Sequence, residues 1–326
     1  MSGGVRTNDF MLNLANELME NRGITESSAN QYIQSLYSLH NKSVFNNLAW
    51  LKNTADVEAR LATFAPTTQR GYLSAIVSVL TPYKDKSSYK KTYQHYYDAM
   101  MKGSKEAREN KVDGAKTKKQ EENWTEWAEV IKKRDELRKE VLGFANRKTI
   151  TPAEYELLLR YVILSLYTDI QPRRNQDFMD MTIVKKYEDS LPKDMNYLDN
   201  SKTPSQFIFN KYKTAKKYGE QRVSIPNTAE APLGDALLMY FKHHPLLTAK
   251  SKEVRFLVNY DGSPLSSVNA ITRCLNKIFK KKIGSSQLRH IFITSKYGDL
   301  KKEMATDAEA MGHSVSEQQN VYNVPH

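Results

Sequence analysis

The chain has a single cysteine, Cys274, in 326 residues. One thiol excludes an internal disulfide framework and any thiolate cage for a metal, and it fits a reducing compartment. Cys274 lies in an amphipathic stretch and reads as helix filler. Long apolar runs are also missing: no segment approaches the roughly 18 uninterrupted apolar residues of a membrane span. The opening MSGGVRTNDFMLNLANELMENRG lacks the apolar block of a secretory signal. A protein that stays inside a cell and has no membrane partner is therefore expected. Glycine-rich phosphate loops, GxGxxG or GxxxxGK(S/T), are absent, which disfavours a nucleotide-driven enzyme. No HExxH or CxxC motif and no carboxylate cluster at ligand spacing occurs. His243 and His244 precede a proline without an obvious third ligand and read as surface residues at a helix end. Neither a metal nor a cofactor is expected. Acidic residues are in deficit: 37 Asp and Glu face 49 Lys and Arg, a formal charge of +12. Such a surplus is the footprint of a protein that binds a phosphate backbone.

The length suits two domains. Residues 8 to 82 read as short helices, with apolar residues at helical spacing in FMLNLANELM, SSANQYIQSLYSLHN, VFNNLAWLKN, VEARLATF and TTQRGYLSAIVSVLTPY. Thr25, Ser27 and Ser28 signal the start of the second, and Thr67 and Thr68 the start of the last. From 84 to 122 the chain is rich in Lys with almost no aliphatic residue, so it cannot supply a core of its own. Its second half reads as an exposed tether or as a contact with a nucleic-acid backbone. NWTEWAEVIKKRDELRKEVLGF follows as a charged amphipathic helix with Trp124, Trp127, Ile131, Val141 and Leu142 as candidate buried positions.

At Thr151, Pro152 and Glu154 the sequence combines an N-cap, a first-turn proline and a capping-box glutamate, ahead of a buried-looking helix through Leu157 to Leu166. FIFNKYKTAKKYGEQRVSIP reads as two strands around a basic turn containing Gly219. RFLVNYDGSPLSSVNAITRCLNKIF gives an extended run, an Asp-Gly turn and an amphipathic helix after Ser266 or Ser267. The expected fold is mainly α (α+β). A helical domain occupies 1–100, a basic linker and charged helix 101–146, and a mostly helical domain with a small β-sheet or hairpin 147–326.

Breaking a DNA strand without metal sets a parts list. Negative charge grows on the equatorial phosphate oxygens, so fixed cations must hold them. Guanidinium forks suit that role because they bind two oxygens and keep their proton. A side-chain nucleophile conserves the bond energy, and a phenolic oxygen makes a linkage that a returning hydroxyl can reverse. A lysine on a hairpin can protonate the departing 5′ oxygen. The chain carries such parts in order: Arg174 in QPRRNQDF with Asp177 three residues on, Lys213 in KYKTAKKYG, Arg289 in SSQLRHIFIT at the start of a buried-looking helix, His313 in MGHS, and Tyr322 nine residues later.

These motifs resemble the tyrosine recombinase (phage integrase) family. Arg174 with Asp177 resembles its first arginine box, LRHIF its Leu-Arg-His-Thr-Phe box, and MGHS with Tyr322 its Leu-Gly-His-Ser box and nucleophile. The resemblance covers about residues 147–326, and the N-terminal helices are similar to the family's core-binding domain. It implies a C-shaped clamp on duplex DNA with specific target sites, a homo-oligomer on that DNA in the form of a tetrameric synapse, and a location wherever the DNA is, in nucleus, cytoplasm or nucleoid. It further implies attack by Tyr322, a 3′-phosphotyrosyl intermediate and a released 5′ hydroxyl. Arg174, Arg289 and His313 would stabilise the transition state, with Lys213 as general acid and no metal or nucleotide. A site-specific recombinase or integrase of a virus or mobile element is the leading expectation. Type IB topoisomerase-like relaxation and a catalytically weakened DNA-binding protein are the alternatives.

The chain departs from the family at Ser286, which occupies the usual histidine position of the second box; His290 is no substitute for it. Arg173 competes with Arg174 for the first arginine role, and the spacing to Asp177 favours Arg174. Lys211, Lys216 and Lys217 rival Lys213. With Arg173 these lysines are expected along the DNA backbone. Only Asn323, Val324, Pro325 and His326 follow Tyr322, too few for a docking helix; either the sequence is cut just after its nucleophile, or its protomers communicate by another surface, for which the 120–145 helix is a candidate.

Overall fold

The computed structural model describes residues 7–109, 115–201 and 206–317. They fall into two compact units, Met1–Ala115 and Lys116–His326. The first is helical: α1 (Asp9–Arg22), α2 (Glu26–Leu39), a 3-10 turn at Ala49–Lys52, α3 (Thr54–Leu61), α4 (Pro66–Leu80) and α5 (Ser87–Glu109). Thr25 caps α2 as its position suggests. The α4 start differs from expectation: Ala65 is the cap and Pro66 opens the first turn, where its missing N–H has no helical partner to lose. In VFNNLAWLKN only a single 3-10 turn forms. There the Asn47 side chain accepts from the Ala49 amide and competes with regular helix.

The larger correction concerns α5. This Lys-rich segment is a 23-residue helix of the first unit, extending it beyond residue 100. Tyr96 is fully buried and its hydroxyl donates to the Leu51 carbonyl at 2.8 Å, while Tyr89, Tyr93 and Tyr97 pack against the same core. Tyrosine rings supply the apolar area that a count of aliphatic residues overlooks.

The second unit is built on α8 (Pro152–Thr168), preceded by α6 (Lys118–Glu122) and α7 (Trp127–Leu142). Thr151 caps α8, and its exchange of hydrogen bonds with Glu154 is the expected capping box. Ten of the helix's residues are buried, as befits an element covered by α7, α11 (Leu233–His243) and α12 (Val268–Phe279). On α7 the buried stripe is Val130, Arg134, Leu137 and Val141, whereas Leu142 is exposed. Trp124 and Trp127 are partly buried against the core. This helix belongs to the core of the second unit rather than to a connector.

After α9 (Asn175–Met179) comes a mixed five-stranded sheet in the order β4-β3-β2-β1-β5. Its strands are β1 (Thr182–Val184), β2 (Asn196–Asp199), β3 (Gln206–Phe209), β4 (Gln221–Ser224) and β5 (Glu253–Arg255), and a short helix α10 (Ala215–Tyr218) lies between β3 and β4. β1 and β2 are parallel and the other pairs antiparallel. The side chains alternate: Ile183, Leu198, Phe207 and Phe209 face the main core, while Val184, Tyr197 and Ile208 face Tyr187 and Leu191. The molecule is therefore mainly helical with an α+β second unit, and the sheet is larger than one hairpin.

Ser267 precedes α12, as expected. Cys274 sits on that helix, its thiol pushed up to about 12 by burial. His244 is buried rather than superficial, with Nε2 3.1 Å from the Arg255 carbonyl and 3.2 Å from that of Phe256. The last long helix, α13 (Ser285–Ala310), has only Leu288, Ile291 and Ala308 buried, so it is not the buried helix that SSQLRHIFIT suggests. No helix among the described residues is long and apolar enough to cross a membrane.

Candidate phosphate-binding site

Where α8 ends, the chain turns through Ile170–Pro172 into α9, with Arg174 as the extended N-cap residue. The two adjacent arginines take opposite fates. Arg173 turns inward: Nε donates to Asp177 Oδ2 at 3.0 Å, a second guanidinium nitrogen donates to Gln221 Oε1 at 2.9 Å, and the group lies 3.7 Å from the Phe209 ring centre. Its side chain is 16% exposed and that of Asp177 only 4%. Arg174 contributes its carbonyl, which accepts from the Asp177 amide at 3.0 Å. Its guanidinium makes no ion pair among the described residues, and the residue as a whole is partly exposed. Burial raises the Asp177 carboxyl above its usual value, against the opposing pull of Arg173 and Arg174.

Arg289 is the fifth residue of α13, at the start of its second turn. Burial lowers its guanidinium below the usual value and repulsion by Arg174 adds to this, while Asp177 and Tyr167 pull the other way. Arg289 shares the lining of one cavity with Gln171 and Pro172, the residues that lead into Arg173 and Arg174. Arg289 Nε is buried with no hydrogen-bond partner among the described residues. A buried guanidinium with an unsatisfied donor is chemistry that an anion can satisfy. The cavity has a volume of about 220 Å³ and is also lined by Phe292 and Lys296.

The floor is rigid. The buried Tyr167 hydroxyl donates to Asn175 Oδ1 at 2.6 Å, and Asn175 Nδ2 donates to Thr272 Oγ1 at 2.9 Å and to the Val268 carbonyl at 3.2 Å. α8, α9 and α12 are thereby joined under the arginines. Asn196 was not foreseen from the sequence. Its Nδ2 donates to the carbonyls of Asp177 and Lys211, and its Oδ1 accepts from the amides of Asn210 and Lys211. An asparagine inside a short run without periodicity carries no sequence signal for such a role.

The β3–β4 pair is the expected hairpin, and Lys213 lies exposed in its connection, just before α10. Lys211, Lys216 and Lys217 are exposed as well, in contrast to Arg173. Ser286 is exposed three residues before Arg289, hence on the same face of α13. His313 is placed elsewhere. Gly312 takes a left-handed φ of 74°, its amide donates to the Glu309 carbonyl and the His313 amide to that of Ala308, closing the end of α13. MGHS is therefore a helix stop. The run from Arg289 to Ala310 is continuous helix and, at about 1.5 Å per residue, roughly 32 Å long. Arg289 lines a cavity with the turn that leads to Arg174, whereas His313 follows the far end of α13. Tyr322 lies outside the described residues.

Among the described residues no group of three or more His, Cys, Asp or Glu side chains could hold a metal ion. No family model, curated protein or solved structure matches the chain.

Proposed function

We propose that this chain is a tyrosine-type site-specific recombinase or integrase that cuts and rejoins DNA strands without metal. The observation that carries the reading is a buried, unpartnered Arg289 Nε on a cavity shared with the turn that leads to Arg174, together with a hairpin that exposes Lys213. Arg174 and Arg289 hold two oxygens of a phosphodiester and offset the charge that builds on them during attack. The Tyr322 oxygen forms a bond to phosphorus, its proton leaves to water, and the bond from phosphorus to the 5′ oxygen breaks. Lys213 gives that oxygen a proton and regains one from solvent. The products are a 3′-phosphotyrosyl linkage and a free 5′ hydroxyl. Ser286 offers a hydroxyl on the same face as Arg289, where the family's histidine would stand. The reading requires the His313 end of α13 to approach an arginine pair, through a break in the helix or in a second copy of the chain. Duplex DNA with paired target sites is the partner and a tetrameric synapse the working assembly. A virus or mobile element is the setting proposed for it.

The test is a pool of random duplexes, each nicked near its centre, incubated with the protein in EDTA and resolved by denaturing electrophoresis. A covalent protein–DNA adduct is expected, and sequencing the captured DNA gives the target. The adduct should vanish with Tyr322→Phe and form about 10²-fold more slowly with Arg289→Ala. No adduct from the wild type, or an adduct that survives Tyr322→Phe, overturns the proposal.

A further inference from the structure

Resting on the recombinase reading, we infer that Arg173 is a positioning residue for the general acid: it locks the hairpin that carries Lys213 to the loop that carries Arg174. The hairpin ladder ends on the rung Phe209↔Gln221, and the segment between these two residues contains Lys213. Arg173 grips that last rung from both sides, stacking on the Phe209 ring at 3.7 Å and donating to Gln221 Oε1 at 2.9 Å. It also lies 5.1 Å from the ring of Tyr212, the residue before Lys213. The Tyr212 hydroxyl donates to the Gly219 carbonyl at 2.7 Å, which closes the connection on itself around Lys213. The remaining guanidinium edge is held by Asp177.

A second strap runs in parallel through Asn196, from the Asp177 carbonyl to the Lys211 carbonyl. The lysine's neighbourhood is thus tied at both feet to the turn that presents Arg174. A guanidinium is needed for this, because it stacks and donates from two edges at once, which an ammonium cannot do. Proton transfer to a leaving oxygen depends on heavy-atom distances of about 2.6–3.2 Å, so a small loss of register at the hairpin base falls on the chemical step. Affinity for DNA is left alone, since Arg173 is turned away from solvent.

The experiment uses full-length protein and two duplexes bearing the captured target sequence. One is all-oxygen, and the other has sulfur in place of the scissile 5′ oxygen, a leaving group that needs no proton. Arg173→Lys and Gln221→Leu both keep a partner for Asp177, so neither strands a buried charge. On the oxygen substrate Arg173→Lys is expected to slow adduct formation on the order of 10²-fold and Gln221→Leu on the order of tenfold, with DNA affinity within about twofold of wild type. On the sulfur substrate both should return to within about threefold of wild type, as should Lys213→Ala, whereas Arg289→Ala should stay slow. If Arg173→Lys and Gln221→Leu are equally slow on both substrates, or normal on the oxygen substrate, the positioning role is overturned and the recombinase reading stands. If the wild type forms no adduct with either duplex, both fall.

Discussion

At the scale of single residues, neighbours in sequence part company according to what the fold brings to them. Arg173 and Arg174 are the same amino acid in the same turn, and spacing to Asp177 alone favoured Arg174 for the first arginine role. The ring of Phe209 and the amide of Gln221, which hold Arg173 inward, come from strands that the spacing rule does not see. Arg134 is a sharper case. It lies on a helix rich in exposed charge, yet its side chain is 3% exposed and paired at 2.6 Å with Asp169, itself fully buried. His244 was misplaced for the same reason, because its partners are carbonyls delivered by another segment. Burial depresses its imidazole below the ordinary value of 6.5, outweighing the two carbonyls that favour the cation. The unfolded chain therefore takes up this proton before the folded one does. Its contribution to stability is complete above about pH 6.5 and is lost as the pH falls below it. Urea unfolding of the wild type at pH 7.5 and pH 5.5 should give a lower midpoint at pH 5.5, and His244→Gln should flatten that difference.

At the scale of elements, legibility followed local signals. α8 could be placed to the residue because Thr151, Pro152 and Glu154 act within one turn and need nothing from the rest of the chain. Thr151→Ala removes the acceptor for the Glu154 amide and should cost about 1 kcal/mol, read as a lower urea midpoint of the second unit, whereas Thr151→Ser should cost little. β1 and β2 escaped notice because they are three and four residues long and buried on both faces, so no alternation of polar and apolar residues marks them. The β3–β4 pair was visible through its basic turn. α5 was hidden by its lysines, which mask the tyrosine stripe beneath them. On α13 the LRHIF and MGHS boxes stand at the two ends of one helix: Gly298 lies inside it without ending it, and the helix stops only at Gly312, which takes a left-handed φ of 74°.

For the whole molecule, the two units have separate cores. Residues from Met11 to Tyr96 form one cluster, and those from Val130 to Ile291 form the other. The first unit should therefore fold without the second. A 1–115 fragment is expected to unfold cooperatively in urea, and Tyr96→Phe, which deletes the hydroxyl bonded to the Leu51 carbonyl, should lower its midpoint by the equivalent of about 1 kcal/mol. The same shift should appear in the full chain for the transition of the first unit, with that of the second unit unchanged. Charge surplus and helix-rich organisation were available from composition and periodicity, but the placement of the boundary was not, because α5 belongs to the first core through rings that read as part of a basic tether.

One consequence of α13 concerns time rather than space. On the proposed reading, a molecule that grips a phosphate at one end of a helix and carries its histidine at the other holds both halves of a reaction while remaining idle. It can travel along any duplex without harming it, since grip alone cuts nothing. Readiness then belongs to a meeting, of one end of the helix with the other or of one copy with the next, and the frequency of that meeting sets how often the chain acts.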